Sequence, residues 1–157
     1  MPADLRFMRR AIELARLGMT SGAGGPFGAV VVKNGVIIGE GHNQVIATND
    51  PTAHGEIIAI RAACAKLGHF SLDGCEIHST GEPCPMCLGA IHWARIGRIY
   101  YGFSILDTAT IGFDDREFYR QFSLPHGERQ VPCTELARDE SRLLLAEYAA
   151  LPERVAY

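Results

Sequence analysis

The stretch that most constrains this chain is Thr80-Gly81-Glu82-Pro83-Cys84-Pro85-Met86-Cys87, with the apolar run that follows through Ile91, Trp93 and Ala94. Proline favours the first turn of a helix, because the N–H it lacks would have no partner there. Cys84 and Cys87 are therefore expected on the first turn of a helix. Residues three apart share a face, so both sulfurs can reach one point. That point is the positive end of the helix dipole, which favours thiolate over thiol. Two adjacent thiolates facing outward make half of a metal site.

The other half lies 30 positions upstream, in Pro51-Thr52-Ala53-His54-Gly55-Glu56, where a second helix is expected to start. His54 supplies a third ligand. Cys, Cys and His leave one tetrahedral position for water, the pattern of a catalytic rather than a structural zinc. On a helix Glu56 points away from His54, so it is a poor ligand for the same metal. It suits a carboxylate that hydrogen-bonds the water. His-x-Glu alone says almost nothing, and Cys-x-x-Cys alone fits redox chemistry, structural zinc or chance. Together, at this spacing and both entering helices, they match the zinc nucleobase-deaminase signature.

Composition narrows the remaining classes. The 157 residues are 47% apolar and 21% charged, which suits one globular domain with a real core. A net charge of −3 and a pI of about 6.0 leave no basic excess for nucleic acid or an anionic membrane. No apolar run approaches ~18 residues, and the start lacks the apolar core of a signal peptide. Five cysteines, an odd number in a chain without secretion signals, point to a reducing compartment and a cytoplasmic location.

The coarse order of elements places these motifs. A helix is expected over 4–17, capped by Asp4 and stopped by Gly18, with Leu5, Met8, Ile12, Ala15 and Met19 at helical spacing. Asn34-Gly35 predicts a type I′ hairpin between Ala29–Val32 and Val36–Ile38. Phe27 and Asn43 flank its two mouths; either meets a ligand, or Phe27 packs in the core and Asn43 serves a turn. The helix that follows should run to Leu67 and bury Ile57, Ile60, Cys64 and Leu67. Cys75 and His78 fall on one strand at an odd offset, which sends them to opposite faces and away from a shared metal. Arg98–Phe103 is a further strand, and Ser104–Ile111 reads as loop. Asp114 or Asp115 caps a short helix or faces the pocket. Gln130-Val131 adds a short strand, and Thr134 caps the last helix. Strands linked through helices make part of the sheet parallel. The result is a three-layer α/β domain with the zinc where two helix N-termini converge, at the strand carboxyl ends.

On GGPFGAV (24–30), NDPTAHGE (49–56), EPCPMCLGAI (82–91) with WAR (93–95), and GFDD (112–115), nearly the whole chain resembles the bacterial guanine deaminases of the cytidine-deaminase superfamily. The zinc motifs mark the superfamily; NDPTAH, GFDD and the terminal tyrosine mark the guanine branch. The resemblance implies a three-layer α/β/α cytidine deaminase-like fold around a mixed five-stranded sheet. It implies Zn2+ on His54, Cys84 and Cys87, with Glu56 as proton shuttle. It also implies Phe27, Asn43, Ala53, Trp93, Asp115 and Tyr157 as contacts to a small-molecule purine base. The activity implied is hydrolysis of guanine to xanthine and ammonia. In similar enzymes the C-terminal segment, here about 135–157, crosses to the partner of a homodimer, so that Tyr157 closes the neighbour's pocket. Gly55 departs from the usual alanine, either making room beside the zinc or drifting neutrally, and it leaves guanosine, ammeline or another aminopurine as alternative substrates. A tRNA adenosine deaminase shares the zinc motifs but calls for a basic surface, whereas residues 135–157 carry three basic against five acidic groups. A zinc-stabilised binding module is the non-enzyme alternative, and it lacks the fourth protein ligand usual in such sites.

Overall fold

The computed structural model describes residues 4–157, which divide into two compact units meeting after Asp115. The first unit carries helix α1 (Leu5–Thr20), strands β1 (Gly28–Lys33) and β2 (Val36–His42), and the short helix α2 (Val45–Thr48). Helix α3 (Gly55–Leu67), strand β3 (Cys75–Gly81), helix α4 (Pro85–Trp93), strand β4 (Arg98–Phe103) and helix α5 (Ile105–Ala109) complete it. The second unit holds α6 (Arg116–Ser123), a 3-10 turn at His126–Glu128 and α7 (Arg138–Ala150).

The sheet has the order β2-β1-β3-β4. β1 is antiparallel to both neighbours, and β3 and β4 are parallel because helix α4 carries the chain across between them. The mixed sheet thus has four strands among the described residues, not the five expected: Gln130-Val131 forms no strand. Asn34 and Gly35 both take positive φ, 51° and 76°, as a type I′ turn requires. Alternation along β1 feeds two layers. Val30 and Val32 pack with Phe7 and Leu14 of α1 on one face. Ala29 and Val31 pack on the other with Ala59 and Ala63 of α3 and Ile91 of α4. Cys75 and Ile77 of β3 join this second face, while His78 turns to the first, where its ring stacks on Tyr100 at 4.6 Å. Neither Cys75 nor His78 is near a shared metal geometry.

Helices α1 and α3 bury the expected stripe only in part: Ala15 is buried and Ile60 and Cys64 pack half-buried against the core, but other expected members face solvent. In α1 the buried residues are Phe7, Ala11, Leu14, Ala15 and Gly18, while Leu5, Ile12 and Met19 stay exposed. In α3 they are Gly55, Glu56, Ala59 and Ala63, and Leu67 is exposed. The cause is close approach. A Cβ on Gly28 would overlap the Ala11 carbonyl, and Cβ atoms on Gly39 and Gly41 would overlap the carbonyls of Ala59 and Gly55. Helix backbone lies directly on strand backbone, so only the small-residue side of each helix fits. β2 accordingly runs on through Gly39 to His42, beyond the expected Ile38.

Three boundaries also differ. α1 continues through Gly18 to Thr20. Residues 105–109 are a helix, not loop, started by a reciprocal capping box in which the Ser104 hydroxyl accepts from the Asp107 N–H and the Asp107 carboxylate accepts from the Ser104 N–H. α7 starts at Arg138 behind Ala137 in the left-handed region, φ 51°, so Thr134 is not its cap.

Gly39→Ala and Gly41→Ala should each destabilise the zinc-loaded chain by ~1–3 kcal/mol, because the clashing atoms are backbone and cannot swing aside. Urea unfolding measures this; an unchanged midpoint would mean that α3 is not seated on these glycines.

Candidate metal centre and active site

Three side chains from two helix starts converge at the carboxyl end of β3. His54 is the N-cap of α3 in extended conformation, Cys84 is the N-cap of α4, and Cys87 stands one turn into α4 behind Pro85. Cys84 is thus one position earlier than a first-turn residue. The His54 Nδ1 atom lies 3.6 Å from the Cys84 Sγ and 3.5 Å from the Cys87 Sγ. The three ligand atoms all fall within 4.8 Å of one another. Bonds of about 2.0 Å to nitrogen and 2.3 Å to sulfur, at a tetrahedral angle, require N···S of about 3.5 Å. The donor set and spacing fit zinc, with a fourth corner supplied by no protein atom of the trio.

Electrostatics favour a cation here. The Cys84 thiol is lowered to about 4, chiefly by the hydrogen bond from Cys87 and then by the one with His54. His54 is raised by the same bond to Cys84. Cys87, donating to Cys84, is pushed far up. A divalent cation reverses that last shift, since it draws off both thiol protons. The positive ends of α3 and α4 add to the pull on the thiolates.

Glu56 follows within the first turn of α3 and is only 6% exposed. Burial raises its carboxyl above the usual carboxylate range. One oxygen, Oε1, accepts from the Ser79 hydroxyl at 3.2 Å. Glu56 lines a cavity of about 210 Å³ that also reaches His54, Cys84, Phe27, Asn43 and Asp115. The Phe27 ring is fixed edge-on by Phe113 at 5.2 Å and Phe103 at 5.9 Å. Asn43 is buried; its Oδ1 accepts from the Val45 N–H at 3.1 Å, which leaves the amide N–H groups for a ligand. Burial raises the Asp115 carboxyl, helped by the negative Cys84.

Phe27, Asn43, Glu56 and Asp115 are therefore brought together with the metal trio. Ala53 and Trp93 are not. Ala53 is buried beside the site but does not line the cavity, and its carbonyl accepts from the Gln44 N–H at 2.9 Å. Trp93 ends α4, 64% exposed, away from the cavity lining of this chain. Tyr157 belongs to the second unit and is exposed. Glu82, Phe113 and Thr108 line the cavity without having been singled out. Glu82 had a signal, its place in the Glu-Pro-Cys motif; its carboxylate accepts from the Ile105 N–H at 3.1 Å and ties α5 to the site. Gly55 makes no room beside the ligands. A Cβ there would sit 3.1 Å from the Phe27 carbonyl and 3.2 Å from the Gly28 Cα, so the missing methyl lets α3 press on the start of β1.

Fold and site together define a zinc-dependent deaminase class, and comparison with known proteins bears this out. Residues 1–103 match the cytidine and deoxycytidylate deaminase zinc-binding region, and the chain belongs to that family. Guanine deaminase of Bacillus subtilis (strain 168) is 49% identical over 134 residues, 85% of this chain and 86% of that protein. The crystal structure of guanine deaminase from Bacillus subtilis superposes with a TM-score of 0.95 at 43% identity, covering 99% of each chain. A tRNA-specific adenosine deaminase of Aquifex aeolicus (strain VF5) is 43% identical over 101 residues, 64% of this chain and 65% of that one. No helix of the described residues is long and apolar enough to cross a membrane.

A Cβ on Gly24 would overlap the Asn43 Oδ1. Gly24→Ala should therefore displace the Asn43 amide and raise KM for the base by about tenfold while zinc content stays stoichiometric. Steady-state kinetics with metal analysis reads both, and an unchanged KM would remove Asn43 from substrate recognition.

Proposed function

We propose that this protein hydrolyses guanine to xanthine and ammonia. The reading is carried by one observation: a Cys, Cys and His trio at zinc spacing shares a cavity with a buried carboxyl that protein groups hold in place. The choice of base rests on the similarity to guanine deaminase. His54, Cys84 and Cys87 hold the zinc. Bound there, it acts as a Lewis acid that brings water within reach of deprotonation near neutral pH.

The rest is the work of the chain. Two thiolates lower the net charge at the metal, so water needs a base to give up its proton, and Glu56 takes it. A raised carboxyl suits a group that must first accept and then return a proton. C2 of guanine is flanked by N1, which already carries hydrogen, and N3, which does not. Glu56 delivers that proton to N3 as the hydroxyl oxygen adds to C2, then takes the proton of the new C2 hydroxyl and passes it to the departing amino group as C2=O forms. The C2–N bond breaks, ammonia leaves, and xanthine remains. Phe27 offers an aromatic wall for a planar base. The Asn43 amide donates to a carbonyl such as O6, and the Asp115 carboxylate accepts from ring N–H groups. An amide donor and a carboxylate acceptor across one ring hold C2 in line and discriminate among bases by their edge pattern.

The same reading extends to assembly. No residue of 116–157 is buried in its own chain, although α7 presents Leu143, Leu144, Leu145 and Tyr148. Large apolar side chains left exposed together on one helix call for a cover. A second copy of the chain supplies it, with 135–157 crossing to the partner and Tyr157 acting on the neighbour's pocket in a homodimer. Thiol ligands and five free cysteines suit a reducing cytoplasm.

Ammonia release from guanine, guanosine, adenine, cytosine and ammeline tests the substrate; turnover confined to adenosine in tRNA would overturn the reading. Glu56→Gln should keep stoichiometric zinc and lose activity by at least about 10³-fold. Retained turnover would take Glu56 out of the reaction. For the assembly, mixing inactive Glu56→Gln chains with inactive Tyr157→Ala chains under subunit exchange should restore a fraction of wild-type activity. No restoration means that each pocket uses its own tail.

A further inference from the structure

Glu56 must point one oxygen at the substrate through two proton transfers, yet the terminal torsion of a glutamate is soft. Something has to fix it. Along β3 the residues that face α3 and α4 are Cys75, Ile77 and Ser79, of which the first two belong to the apolar core. Ser79 stands next in that column, 1% exposed, in the middle of the sheet with Ala29 and Tyr101 as its register partners. A methyl-bearing side chain would serve packing there. A hydroxyl buried without a partner is costly. The side-chain partner that this hydroxyl finds is the Oε1 atom of Glu56, 3.2 Å away and 23 positions back in the chain.

We propose that Ser79 is a positioning residue for the proton shuttle. Its hydroxyl donates to Oε1, stops rotation of the carboxylate, and so presents Oε2 to the cavity in one orientation. The pin is rigid because β3 is paired on both sides. The inference rests on Glu56 acting as the shuttle, but its bond to Ser79 can be tested without any turnover.

Three variants separate hydroxyl from bulk: Ser79→Ala, Ser79→Thr and Ser79→Val. Threonine and valine have nearly the same shape, so their comparison isolates the oxygen. Ser79→Ala and Ser79→Val should lose about tenfold to hundredfold in kcat for guanine with KM within about twofold. Ser79→Thr should keep most of kcat, and all three should hold wild-type zinc. Equal activities for Thr and Val, or wild-type kcat in Ser79→Ala, overturn the proposal. Infrared difference spectra of the zinc-loaded proteins give the second readout. The Glu56 carboxyl bands, assigned by their loss in Glu56→Gln, should shift in Ser79→Ala and Ser79→Val and stay in Ser79→Thr. Bands unmoved by loss of the hydroxyl overturn the bond itself. If wild type releases no ammonia from guanine while the bands shift as stated, the choice of substrate fails and the positioning bond stands.

Discussion

The half of the metal centre that carries His54 and Glu56 depends on how closely helix α3 is seated on strand β2. Gly39 and Gly41 present bare backbone to Ala59, Ala63 and Gly55, and a single methyl on either glycine would meet a carbonyl oxygen. This contact sets the height of α3 over the sheet. His54 caps the same helix and Glu56 lies in its first turn, so the height of α3 is also the height of the ligand and of the acid. Gly55 repeats the device toward β1, where it abuts Phe27 and Gly28. Helix, ligand, acid and aromatic wall are thus placed by backbone contacts that leave little play.

The opposing half is placed by a different element. β3 delivers Ser79 to Glu56 and then, three residues past its end, Cys84 to His54. One strand therefore holds the acid and starts the metal-binding turn. Two helix N-termini face the same point, which favours anions there, and the chain supplies thiolates. Beside them it keeps a carboxyl whose burial favours the neutral form. The site thus combines a strong pull for a cation with a buried carboxyl, the pairing on which the proposed deamination rests.

What could be read from the residue order divides along physical lines. The hairpin turn, the ligand trio, the acid, the start of α4 and the end of α3 were legible because each rests on local chemistry: Asn-Gly accepting positive φ, Pro85 starting a helix, Gly68 stopping one. The buried stripes of α1 and α3 were legible only in part. Hydrophobic periodicity puts Leu5, Ile12 and Met19, or Ile57 and Leu67, inside beside Ala15, Ile60 and Cys64, because large apolar groups gain most from burial. The fold keeps Ala15, Ile60 and Cys64 against the core but buries Ala11, Ala59 and Ala63 in place of the others, because contact at backbone distance excludes the larger groups. The capping box at Ser104 is a weak signal in the sequence, since its Asp107 stands where Glu or Gln is more usual. Trp93 shares a motif with the zinc cysteines, but the turns of α4 carry it out of this chain's cavity.

By itself the sequence determined the donor set and therefore the metal, because ligand identity and the spacing of residues on a helix turn are local properties. It also determined the presence of an acid beside the metal and a class of reaction. Only the tertiary structure decided which side of each helix faces the sheet and which of the neighbouring residues reach the cavity. It alone paired Ser79 with Glu56, and it alone showed that Gly55 makes space for a strand and not for a ligand. Those outcomes turn on distances between segments far apart in the chain, and no periodicity along the chain encodes how near two backbones can come.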